Sequence, residues 1–124
     1  MTKETNIQLF TDAGELRTTT DERMEYLSTL VFDYVVEAIR EALYEAASNA
    51  NYNTKVEFCQ VMRIKGEEIV TSRYHKDLEK IATVLKTQGY QVVFEIIENG
   101  EENYYSYTID WNKALYPPKI IREG

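Results

Sequence analysis

The sequence predicts an α+β domain: two helices, the first of them long, packed on one face of a three- to four-stranded, mainly antiparallel sheet, in the order α-β-α-β-β. Three observations predict it. Apolar residues recur at spacings of three and four over two segments, the pattern of helices with a buried face. They alternate with polar residues over three other segments, the pattern of half-buried strands. The last two of these are joined at Asn99-Gly100, the strongest short hairpin signal.

Taken in order, residues 1–19 form an N-terminal arm or an edge strand, with Ile7-Gln8-Leu9-Phe10 as the strand candidate and Asp12-Ala13-Gly14 as a turn. A single domain follows over residues 20–113. Its first helix starts around Thr18 to Glu22, where Thr19 and Glu22 have capping-box spacing, and runs to about Ser48. It carries two apolar stripes, one through Leu27, Val31, Tyr34, Ala38 and Ala42, the other through Phe32, Val36, Ile39, Leu43 and Ala47. Both stripes need cover. At ~1.5 Å per residue the helix is about 43 Å long, longer than the strands beneath it, so part of it overhangs the sheet. A second copy or another protein is the natural cover for the surplus.

Lys55 to Ile64 alternates, with Val56, Phe58, Met62 and Ile64 on one face and Gln60 interrupting it. Lys65-Gly66-Glu67-Glu68 reads as a loop. The second helix runs from about Ser72 to Gln88 on a stripe of Tyr74, Leu78, Ile81, Ala82 and Leu85, and Gly89 stops it. The hairpin occupies Tyr90 to Trp111. With Asn99 and Gly100 as its loop, Tyr90 faces Ile109, Val92 faces Tyr107 and Phe94 faces Tyr105, all six on one side. The pattern leaves open which hairpin strand the first strand joins. Residues 114–124, with Pro117-Pro118, form an extended tail.

Composition excludes several functions. A formal charge of −7 removes the basic footprint that nucleic-acid or anionic-membrane binding needs. Tyr104, Tyr105, Tyr107 and Trp111 would make a stacking platform for bases, but Glu98, Glu101, Glu102 and Asp110 surround them with the wrong sign. One cysteine, Cys59, permits no disulfide within the chain, and one Cys with one His builds no zinc site. The N-terminus lacks the apolar run of a secretory signal, and Leu30-Val31-Phe32 is far too short to span a bilayer, which together point to the cytoplasm.

Catalytic chemistry finds no foothold. His75, the only general-base histidine available, falls on the polar face of the second helix and reads as solvated. Cys59 lacks a base or helix N-terminus in sequence to lower its pKa. The five glycines are scattered, so no phosphate loop forms. Carboxylate pairs at Glu67-Glu68 and Glu101-Glu102 lack calcium-loop spacing. The expectation is a protein without enzyme activity, metal or cofactor.

The segments Ala38-Ile39-Arg40-Glu41-Ala42, Val56-Glu57-Phe58, Leu85-Lys86-Thr87-Gln88-Gly89-Tyr90-Gln91-Val92 and Ile109-Asp110-Trp111 follow one another in a pattern that resembles small proteins encoded in tailed-bacteriophage genomes. The likeness covers residues 35–111 and departs from the pattern in the longer N-terminal segment and the Pro-containing tail. It implies a small phage protein that binds a host factor or sits in a particle, and brings no activity with it.

The function expected is therefore an interaction protein, homo-oligomeric and of phage origin, binding a host or viral protein in the host cytoplasm. Phe32, Val36, Ile39, Leu43 and Tyr104 are its expected contact residues. The alternatives are a structural component of a virion, its arm and tail clasping neighbours, and a binder of a small ligand such as a nucleotide. For the last, Arg73 and Tyr74 at the start of the second helix are the candidate anion contacts.

Overall fold

A computed structural model describes residues 9–100 and 102–112. The first helix, α1, spans Ala13–Ser48. It begins before the expected capping box, because Asp12 is its N-cap: the carboxylate accepts the Gly14 N–H at 3.0 Å. Nothing between Ala13 and Thr19 stops a helix, since one glycine costs about 1 kcal/mol and Glu15 complements the dipole in the first turn. Thr19 and Glu22 thus lie inside α1. Of the expected arm, residues 13–19 are helical, Leu9 and Phe10 are exposed outside any strand, and residues 1–8 lie outside the described residues. The 36-residue helix is roughly 54 Å long.

The two apolar stripes of α1 are the flanks of one broad face. Val31, Val35 and Ile39 run along its centre, and Val35 belongs to neither expected stripe. One flank meets the sheet, where Tyr34 packs edge-on to Phe58 with ring centroids 6.2 Å apart. The other turns toward the second helix.

The expected strand over 55–64 is two strands, β1 (Asn53–Phe58) and β2 (Val61–Ile64). The break falls at Cys59 and Gln60. The Gln60 carbonyl accepts the Thr71 N–H at 2.9 Å, and its side-chain oxygen accepts the Asn103 N–H at 3.0 Å. The Thr71 hydroxyl donates to the Cys59 carbonyl at 2.7 Å. The polar residue that interrupts the apolar face is the pivot on which the chain leaves one sheet for another. Lys65 and Gly66 then form a two-residue turn with φ of 50° and 80°, the positive values such a hairpin needs at both positions. The expected loop residues Glu67 and Glu68 therefore begin a strand, β3 (Glu67–Val70), paired antiparallel with β2. Arg23 of α1 bonds Glu67 at this corner.

A 3-10 turn over Thr71–Tyr74 leads into the second helix, α2 (His75–Thr87). The chain reverses at Gly89, φ 99°, where the Gly89 N–H bonds the Lys86 carbonyl and the Tyr90 N–H bonds the Leu85 carbonyl, each at 3.1 Å. This is a Schellman stop, and its apolar pair is Leu85 and Tyr90.

Strands β4 (Gln91–Asn99) and β5 (Glu102–Asp110) form the expected hairpin in a corrected register. Val92 faces Ile109, Phe94 faces Tyr107 and Ile96 faces Tyr105, and the pairing closes at Asn99 opposite Glu102. The loop begins at Gly100 and not at Asn99, with Gly100 taking φ 66°. A slide by two residues keeps every side chain on its face, so the hydrophobic pattern is blind to it.

The main sheet has the order β1-β5-β4, all antiparallel, which settles the place of the first strand beside β5. Both helices cover one face of it, α1 over β1 and α2 over β4, as the fold class requires. The described chain is thus α+β, in the order α-β-β-β-α-β-β. Tyr107 stands at the centre of the covered face, fully buried, its hydroxyl donating to the Leu78 carbonyl at 2.6 Å. Phe58 and Phe94 pack on its ring at 6.1 and 4.8 Å. The tail expected over 114–124 lies outside the described residues.

Candidate functional site

α1 extends past α2 at both ends. The two helices run in the same direction: the Ser28 hydroxyl donates to the Asp77 carboxylate at 2.8 Å, and one turn on the Lys80 ammonium lies 5.8 Å from the Phe32 ring centre. Because α2 stops at Thr87, α1 continues beyond it with no helix alongside among the described residues. The space left is an apolar groove of about 770 Å³. On one side α1 lines it with Phe32, Val36, Ile39, Leu43 and Ala47, and with Arg40 and Tyr44 at the lip. On the other side stand Ile81, Val84, Leu85 and Gln88 of α2. Tyr90 and Trp111, packed edge to face with centroids 6.2 Å apart, close the end.

Its origin is local. Gly89 stops α2, the Schellman pair Leu85–Tyr90 becomes a wall, and Trp111 is set by the last bond of the sheet, from its N–H to the Tyr52 carbonyl at 2.9 Å. The apolar flank of α1 is thereby left half covered. Tyr44 is 77% exposed and Val84 41%. The volume falls within the range of roughly 300–1,000 Å³ typical of ligand pockets, but the groove is open along its length and carries few convergent polar groups. Its chemistry is that of a slot for an apolar side chain or segment.

Four of the five expected contact residues, Phe32, Val36, Ile39 and Leu43, come together here, with Ile39 buried in the floor. Tyr104 does not join them. It lies on the opposite face of the sheet, half-buried, its hydroxyl donating to the Glu102 carboxylate at 3.2 Å, a bond that raises its pKa. The groove residues from α2, with Tyr90 and Trp111, were not legible as contacts. Ile81, Leu85, Tyr90 and Trp111 read as core, Val84 and Gln88 fall outside the apolar stripe of α2, and only the unequal lengths of the two helices signal that these residues line an open groove.

The candidate anion contacts do not converge. Tyr74 is buried, 4% exposed, with its hydroxyl 3.6 Å from the Met24 sulfur, and burial raises its pKa. Arg73 remains on the surface of the 3-10 turn. His75 corrects the expectation of a solvated side chain. It is half-buried, its ring tilted against Tyr105 at 5.4 Å and its Nε2 3.2 Å from the Tyr105 hydroxyl, because the first turn of α2 lies over the end of β5. Cys59 is exposed. Among the described residues no group of His, Cys, Asp or Glu is arranged to hold a metal ion, and no helix is long and apolar enough to cross a membrane.

Comparison with protein-family models, with curated proteins and with solved structures found no match to this chain.

Proposed function

We propose that this chain is a non-enzymatic interaction protein that binds a protein partner in the groove between α1 and α2. One observation carries the reading: the surplus apolar flank of α1 is gathered, with Val84, Tyr90 and Trp111, into a single open slot. Aromatic and aliphatic residues around a concavity are the usual anchors of protein contacts. The origin proposed is a bacteriophage, with a host or viral protein as partner in the host cytoplasm. A homo-oligomeric state is part of the same proposal.

Native mass spectrometry of the gently purified chain tests it. The expected mass exceeds 14.5 kDa by a second protein or a further copy. Val84→Asp, which places a charge in the groove, removes that excess. Val93→Asp, on the far face of the sheet, leaves it in place. A bare 14.5 kDa species, or an excess that Val84→Asp does not change, overturns the reading.

A further inference from the structure

Resting on the groove reading, we propose that the resident occupant of the groove is the chain's own C-terminal segment, residues 113–124, which a partner must displace. The first argument is where the described chain leaves off. Trp111 forms the end of the groove, and its N–H bond to Tyr52 holds that point, so the next residues start at the groove mouth. The second is reach. Twelve extended residues span up to roughly 40 Å. The α1 flank from Phe32 to Ala47 is about 22 Å long at ~1.5 Å per residue.

The third argument is chemistry. The segment carries Leu115, Tyr116, Ile120 and Ile121 on either side of Pro117-Pro118, whose fixed φ and missing N–H groups oppose a helix. Large apolar residues spaced along a segment that prolines keep from coiling suit a long apolar slot better than a helix would.

The fourth is charge. Lys113, Lys119 and Arg122 against Glu123 give the segment +2. Since the whole chain holds −7, residues 1–112 hold −9. Part of that charge borders the groove. Phe32, Val36, Arg40 and Tyr44 form one row of α1, and the next row round the helix is Asp33, Glu37, Glu41 and Glu45, all exposed. Four carboxylates at successive four-residue spacings repel one another. Among the described residues the one ion pair to this row is Arg40 with Glu37, at 3.9 Å. A basic, apolar segment laid in the groove supplies both the missing cover and the missing cations.

A second copy fits less well. Two concave grooves facing across a two-fold axis leave a void between them. The overhanging end of α1, residues 13–23, offers a partner copy only one large apolar side chain, Leu16.

Trp111 is the chain's single tryptophan, so its fluorescence reports on the groove alone. The full chain and a version ending at Asn112 are compared by acrylamide quenching of Trp111 and by amide exchange of α1 residues 36–47. Truncation is expected to raise the quenching constant at least twofold and to speed exchange along that flank. Ile120→Asp with Ile121→Asp, nine residues from the reporter, and Glu37→Lys with Glu41→Lys, on the lip, each reproduce it in the full chain. A peptide of residues 113–124 added to the truncated chain reverses it. Unchanged quenching and exchange overturn the proposal, and so does protection that grows with protein concentration, which marks a second copy. An apolar dye separates this failure from that of the groove reading. Equal dye binding to both chains, abolished by Val84→Asp, sinks the tail and keeps the groove, whereas no dye binding to the truncated chain sinks both.

Discussion

Tyr107→Phe is the sharpest test of how the core is held. The Tyr107 hydroxyl is buried and donates to the Leu78 carbonyl at 2.6 Å. That carbonyl lies inside α2 and keeps its helical partner four residues on, so the substitution removes one hydrogen bond without orphaning an acceptor. The cost at neutral pH is about 1 kcal/mol, or a fall in Tm of about 4 °C for a domain of this size. Burial also pushes the Tyr107 pKa far above its ordinary value near 10. The folded state thus binds the phenolic proton more tightly than the unfolded one. The stability this contributes is complete below pH ~10 and is lost as pH rises beyond it, by about 1.4 kcal/mol per pH unit. Tyr74 and Tyr105, also raised by burial, remain in both proteins, so both weaken in alkali. The variant weakens with one proton fewer. Its stability curve therefore crosses that of the natural protein at about pH 10.7, where the alkaline gain of ~1 kcal/mol equals the lost bond. Urea midpoints followed by far-ultraviolet circular dichroism from pH 7 to 11.5 measure this. A gap that stays constant across that range refutes the reasoning, because it means the phenol ionises without unfolding the core.

Three further outcomes follow from single contacts. Ser106 is 1% exposed with no hydrogen-bond partner for its hydroxyl among the described residues, so Ser106→Ala should raise stability by about 1 kcal/mol in urea melts. Gln60→Ala removes the side-chain acceptor of the Asn103 N–H and should cost about 1–2 kcal/mol, with faster amide exchange at Asn103 than elsewhere in β5. Gly66→Ala keeps open space around the new methyl group but holds it at φ 80°, and should cost about 1–2 kcal/mol by thermal melting.

What the sequence determined by itself is what depends on near neighbours. The long first helix, the second helix with its glycine stop, the alternating strands and the final hairpin are all written in spacings of two, three and four residues. The apolar residues Phe32, Val36, Ile39 and Leu43 were legible as a surplus for the same reason. Tertiary structure decided whatever depends on distant partners or on choices of equal periodicity. The hairpin register slid by two because both registers bury the same faces, and pairing of β5 with β1 and β4 together selects one. Gln60 became a pivot because its acceptors find Thr71 and Asn103, far along the chain. β3 escaped notice because it has a single inward apolar residue, Ile69, too few to show a period. His75 left the solvent for Tyr105 because only the packed α2 reveals which sheet end it covers. The groove itself is a difference in length between two helices, and a difference becomes a surface only when the helices are laid side by side.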